Sequence, residues 1–141
     1  MSRILVCGGR YYGRVPSLCP PMLINSRIIR ASEEVRQLQA DLLQIHSESK
    51  VELLLHFNRR GAERLAAHWA RISAVPERDP TLLDKKAPPF QRLDACRALL
   101  LAERIDLVLQ YSNDEKEEFT AAAGSLGVEV RHIDPDAVQG S

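Results

Sequence analysis

The chain is poor in cysteine, in long apolar runs and in charge of one sign, and each scarcity excludes something. Its three cysteines, Cys7, Cys19 and Cys96, are scattered and form no Cys-x-x-Cys pair. A disulfide framework or a structural zinc site needs paired or closely spaced cysteines, so neither is expected, nor is any other metal or cofactor. Reduced thiols suit a cytoplasmic protein. No apolar run approaches the ~20 residues needed to span a bilayer, so no membrane partner is expected. The opening Ile4-Leu5-Val6-Cys7-Gly8-Gly9 is far too short for a signal-peptide core. Lys plus Arg and Asp plus Glu number 19 each. A nucleic-acid binder usually carries a basic excess, so nucleic acid is not the expected partner.

The 141 residues, 45% of them hydrophobic, suit one domain with a sizeable core. Arg3 to Cys7 reads as a buried strand closed by a Gly-Gly turn. Residues 13–31 are the least regular stretch, because Pro16, Pro20 and Pro21 forbid a continuous helix there. That stretch reads as an insertion or lid. Its Leu18, Met22, Leu23, Ile24, Ile28 and Ile29 are expected to be buried, against the domain or across a homodimer interface. Ser32 can cap a first helix, with Glu33 and Glu34 in its first turn and Val35, Leu38, Leu42 and Ile45 on one face.

Val51 to His56 is a second strand. Arg60 to Ser73 is a helix whose buried side is Ala62, Leu65, Ala66, Trp69 and Ile72. Ala74 to Arg78 is a weaker strand, and Asp79 to Phe90, with three prolines, is a loop. Gln91 to Glu103 forms a third helix with Leu93, Cys96 and Leu100 on one stripe. Ile105 to Tyr111 is a strong strand. Asp114, with Glu117, makes a variant capping box for a fourth helix. Gly127 stops that helix, and Val128 to Ile133 alternates like an edge strand. Residues 135–141 read as a polar tail behind a single domain over 1–134.

Strands alternate with helices along the whole chain. The expectation is therefore a Rossmann-like α/β three-layer sandwich, about five parallel strands in order 3-2-1-4-5 with helices on both faces. In such sheets ligands bind outside the carboxyl ends of the strands, at the loops Gly8–Tyr12, His56–Gly61 and Tyr111–Asp114. Gly8 and Gly9 let the backbone approach an anion, and Arg10 adds a planar fork suited to phosphate or carboxylate. Arg59 and Arg60 would complete an anion clamp. His56 reads either as a ligand contact or as a hydrogen-bonded structural residue, and Tyr12 either stacks on a base or packs inward.

The stretch Ile-Leu-Val-Cys-Gly-Gly-Arg-Tyr-Tyr at 4–12 resembles the opening of the SLOG superfamily, in its small YspA-like branch, which begins with a strand and Gly-Gly-Arg-Asp-Tyr. The branch's second motif, His-Gly-Gly-Ala-x-Gly-Ala-Asp, is similar to His56-Phe57-Asn58-Arg59-Arg60-Gly61-Ala62-Glu63. Its Asp-Leu-Val strand is similar to Asp106-Leu107-Val108. The resemblance implies a domain that binds nucleotides or nucleotide-derived phosphorylated ligands; the expected contacts in this chain are Gly8, Gly9, Arg10, Tyr12, His56, Asn58, Arg59, Arg60, Ser112 and Asn113. Related branches include phosphoribohydrolases, for which Glu63 and Asp114 are the candidate catalytic carboxylates.

The chain departs from the pattern where Phe57 and Asn58 replace the paired glycines. It departs again where Tyr111-Ser112-Asn113-Asp114-Glu115-Lys116 replaces the glycine-rich Pro-Gly-Gly-x-Gly-Thr loop. Asp114 and Glu115 compete with phosphate for the helix amides and repel it. The expected function is binding or sensing of a small phosphorylated ligand. A nucleotide N-glycoside hydrolase and a non-catalytic interaction scaffold are the alternatives.

Overall fold

The computed structural model of the chain describes residues 1–8, 12–15, 19–57, 60–79, 89–111 and 118–133. They form five strands, β1 (Ser2–Gly8), β2 (Val51–Leu55), β3 (Glu77–Arg78), β4 (Leu107–Tyr111) and β5 (Glu129–Ile133). Four helices alternate with them: α1 (Ile24–Glu48), α2 (Ala62–Ile72), α3 (Pro89–Ala102) and α4 (Glu118–Leu126). The sheet is wholly parallel, with strand order β3-β2-β1-β4-β5. This is the expected α/β architecture, with the strand order of the Rossmann-like expectation.

The central strands are apolar on both faces because both faces are covered. Ile4 and Val6 of β1, with Leu107, Leu109 and Tyr111 of β4, meet Leu38, Leu42 and Ile45 of α1 and Ala66, Trp69 and Ala70 of α2. Leu5, Cys7 and Val108 face the other way, onto Cys96, Leu99 and Leu100 of α3 and Ala122 and Ala123 of α4. Cys96 is fully buried and packs as a small apolar residue. At the amino edge of the sheet, the Arg3 guanidinium reaches Glu52 at 2.9 Å and Glu103 at 3.3 Å. The Arg3 amide donates to Asp106 Oδ2 at 2.9 Å, tying β1 to the turn before β4.

Several local expectations are corrected. α1 starts at Ile24, behind a 3-10 turn at Pro21–Leu23, and not at Ser32. Pro20 and Pro21 precede the first turn, where a missing amide costs nothing, so they introduce the helix instead of breaking it. Met22, Leu23, Ile24, Ile28 and Ile29 are exposed, so they are not buried against the domain. Leu18 lies outside the described residues. Ile72, at the end of α2, also faces out, while Glu63 in its first turn is buried. The fourth helix is described from Glu118, and its expected capping box at Asp114 and Glu117 lies outside the described residues.

Candidate anion-binding groove

Parallel pairing of β1 with β2 and β4, including the Gly8–Tyr111 pair, brings the carboxyl ends of these strands to one edge. Beyond that edge the described chain resumes at Tyr12, which is only 2% exposed. Its ring packs against Tyr111, with centroids 4.9 Å apart. The Tyr111 hydroxyl donates to Asp41 Oδ2 at 3.2 Å, and Gln37 donates to Asp41 Oδ1 at 2.7 Å. Burial raises the Asp41 carboxyl above its ordinary range, against the pull of these two bonds. Burial likewise pushes both phenols up, and the neighbouring carboxylates add to it. The Tyr12 hydroxyl has no hydrogen-bond partner among the described residues. Tyr12 is thus a core residue, turned away from any base it could stack on.

Gly13 follows with φ +70°. A Cβ there would stand 2.7 Å from Leu65 Cδ1 and 3.0 Å from Val35 Cγ2, so the chain threads the seam between α1 and α2 where no side chain fits. The Gly13 amide donates to Glu34 Oε1 at 3.1 Å. The Arg27 guanidinium holds the same oxygen at 3.0 Å and donates through Nε to the Arg14 carbonyl at 2.9 Å. Glu34, 3% exposed, therefore acts as an internal fastener for the segment Gly13–Arg14.

The opposite wall is the start of α2. Glu63 is 1% exposed, and its Oε1 accepts the Phe57 amide at 2.6 Å. It straps the chain leaving β2 to the first turn of α2, where a carboxylate also suits the helix dipole. Between the two walls lies a groove of about 390 Å³, lined by Arg14, Arg60, Gly61, Arg64 and Leu65. Among the described residues, three arginines and no Asp or Glu line it. Each guanidinium carries five donors, so a hydrogen bond within the protein leaves others for a ligand. The dipole at the amino end of α2 adds to the positive field. The carboxylates of the two walls, Glu34 and Glu63, are turned inward and bonded.

The sequence-predicted residues separate into three groups. Gly8 closes β1, and Arg60 lines the groove. Tyr12 and His56 are buried; His56 Nε2 hydrogen-bonds Glu77, which Arg71 also holds at 3.0 Å. That places His56 in a structural bridge between β2, β3 and α2. Gly9, Arg10, Asn58, Arg59, Ser112, Asn113 and Asp114 lie outside the described residues. Arg14 and Arg64 were not anticipated. Their signal was the four-residue spacing of Arg60 and Arg64 across a helix start, and the arginine immediately after Gly13.

Among the described residues no group of His, Cys, Asp or Glu could hold a metal ion. Among them, no helix is long and apolar enough to cross a membrane. No protein-family model matches the chain, and no curated protein matches it. Among solved structures, ZnuA is 18% identical with a TM-score of 0.43, over 79% of this chain and 40% of that one. A zinc-bound variant of AdcAII from Streptococcus pneumoniae is 12% identical with a TM-score of 0.39, over 79% of this chain and 39% of that one. This chain thus spans about two fifths of the length of either.

Proposed function

We propose that this domain binds a small phosphorylated ligand, nucleotide-like in character, and serves as a binding or sensing module. The observation that carries the reading is the groove lined by Arg14, Arg60 and Arg64 at the amino end of α2. Arginine presents a planar fork that matches phosphate bidentately, and a helix start favours negative charge. The groove's position, beside the carboxyl edge of a doubly covered parallel sheet, is where such folds take their ligands. The likeness of residues 4–12 and 56–63 to the YspA-like SLOG branch supports the same ligand class.

The hydrolase reading has less support. Cleaving an N-glycosidic bond requires a carboxylate held at the ribose. Glu63, one of the two candidates, is buried and committed to the Phe57 amide. The test is a thermal-shift panel of nucleoside mono-, di- and triphosphates, run beside chromatography for released base. Binding without release of base supports the module. Turnover that disappears in Asp114→Ala makes hydrolysis the better reading. No stabilisation by any of the panel removes the nucleotide-like ligand altogether.

A further inference from the structure

Arg27 and Glu34 stand on one face of α1, about two turns apart. They are bonded to each other, Arg27 Nη2 to Glu34 Oε1 at 3.0 Å. Each also holds a backbone group of the segment that threads between α1 and α2. Glu34 Oε1 accepts the Gly13 amide at 3.1 Å, and Arg27 Nε donates to the Arg14 carbonyl at 2.9 Å. The two contacts grip the segment on either side of the Arg14 Cα. They close a ring that runs from the Gly13 amide through Glu34 and Arg27 to the Arg14 carbonyl.

Such a pair does little for stability by itself. The Glu34 side chain is 4% exposed and that of Arg27 17%. Taking two charges out of water costs about as much as their attraction returns, so the use of a buried pair lies in fixing one arrangement. Here the arrangement it fixes is that of Gly13 and Arg14. The tight seam keeps any side chain off residue 13, so packing has nothing there to hold. The direction in which Arg14 leaves the seam therefore depends on the two backbone contacts.

We infer that Glu34 is a positioning residue of the groove: through the Gly13 amide and Arg27, it sets where the Arg14 guanidinium stands relative to Arg60 and Arg64. The inference rests on the groove as the ligand site and goes beyond it, because neither Glu34 nor Arg27 lines the groove. An anion that bridges the two walls needs both sets of guanidinium donors at one spacing. Arg64 is carried by α2, and Arg14 is carried by this ring.

The sign of the effect separates positioning from plain electrostatics. Glu34 is a negative charge near a site for anions. By Coulomb's law alone, deleting that charge tightens anion binding. Misplacing Arg14 weakens binding instead, because a contact displaced by ~1 Å forfeits much of its worth.

The test is isothermal titration of the full chain with adenosine diphosphate. Arg14→Ala should weaken binding about tenfold or more. Glu34→Gln, nearly unchanged in shape, should weaken it about fivefold or more. Arg27→Lys keeps the charge but loses the planar fork, and should act in the same direction. Neither should weaken binding further once Arg14 is replaced by alanine, whereas Arg64→Ala should add its full loss to that of Glu34→Gln. Circular dichroism checks folding; if Glu34→Gln does not fold, Arg27→Lys decides by the same comparison. Unchanged or tighter binding in the folded variant overturns the inference, as does a loss that persists in full beside Arg14→Ala; the groove itself then stands if Arg64→Ala still weakens binding. Affinity indifferent to both Arg14→Ala and Arg64→Ala, or no binding of adenosine diphosphate by the wild type, overturns the groove as a nucleotide site and this inference with it.

Discussion

Gly13 and Gly127 provide a matched pair of perturbations. Both have positive φ, +70° and +72°, so alanine at either site suffers the left-handed penalty of about 1–2 kcal/mol. They differ in surroundings. An added Cβ at Gly127 meets nothing within 4 Å, while at Gly13 it meets Leu65 Cδ1 at 2.7 Å and Val35 Cγ2 at 3.0 Å. Leu65 Cδ1 ends a side chain that can turn aside, but Val35 is β-branched and stiff, so relief at that contact requires α1 to shift. Overpacking of this kind costs a further ~1–3 kcal/mol. Gly127→Ala should therefore cost about 1–2 kcal/mol and Gly13→Ala about 2–5 kcal/mol. The gain from a stiffer unfolded chain is common to both and cancels in the comparison. Urea denaturation with unchanged m-values measures each. Equal costs, within about 0.5 kcal/mol, would refute the seam between α1 and α2 as the reason for glycine at 13.

Three further outcomes follow from the same contacts. Tyr12→Phe removes a buried hydroxyl that has no partner among the described residues, so stability should hold or rise; Tyr111→Phe, which breaks the bond to Asp41, should cost about 1 kcal/mol in the same assay. The hydrogen bond from His56, aided by Arg71 and opposed by burial, holds the Glu77 carboxyl below its ordinary value of 4.5. Its contribution is then fully present above pH 4.5 and is lost as pH falls through the lower, folded-state value, so the stability gap between wild type and Glu77→Gln should shrink in acid; a gap that widens below that pH would contradict the bridge. Glu63→Gln retains a carbonyl that can accept the Phe57 amide, so it should fold with a loss of roughly 1 kcal/mol and keep ligand affinity within a few-fold, whereas Glu63→Ala removes that acceptor altogether and should cost ~1–3 kcal/mol by denaturant titration.

The sheet was legible because strands buried on both faces leave a continuous apolar run, as in Ile4-Leu5-Val6-Cys7 and Leu107-Val108-Leu109. Alternation of strand and helix implied a parallel sheet, and its strand order came with the Rossmann-like topology. The start of α1 was not legible. Ser32, Glu33 and Glu34 imitate a cap and an acidic first turn, yet Glu34 is a buried acceptor for the Gly13 amide, a contact made across 21 residues. Apolar spacing placed Ile72 inside α2 and missed that Glu63 could be buried, since its partner, the Phe57 amide, belongs to the preceding loop. The groove was half legible. Arg60 stood out beside Gly61, but Arg14 reaches the same place only because Gly13 slips between two helices, which no local pattern announces.

The central claim is that the arginine groove is the ligand site. Isothermal titration of the wild type, Arg60→Ala and Arg64→Ala with the nucleotide that stabilises the protein most tests it directly. Removing one charge-assisted contact should cost about 1.5–3 kcal/mol, a weakening of roughly 10- to 150-fold, with folding intact in both variants. Affinity unchanged in both variants would place the ligand elsewhere and contradict the account.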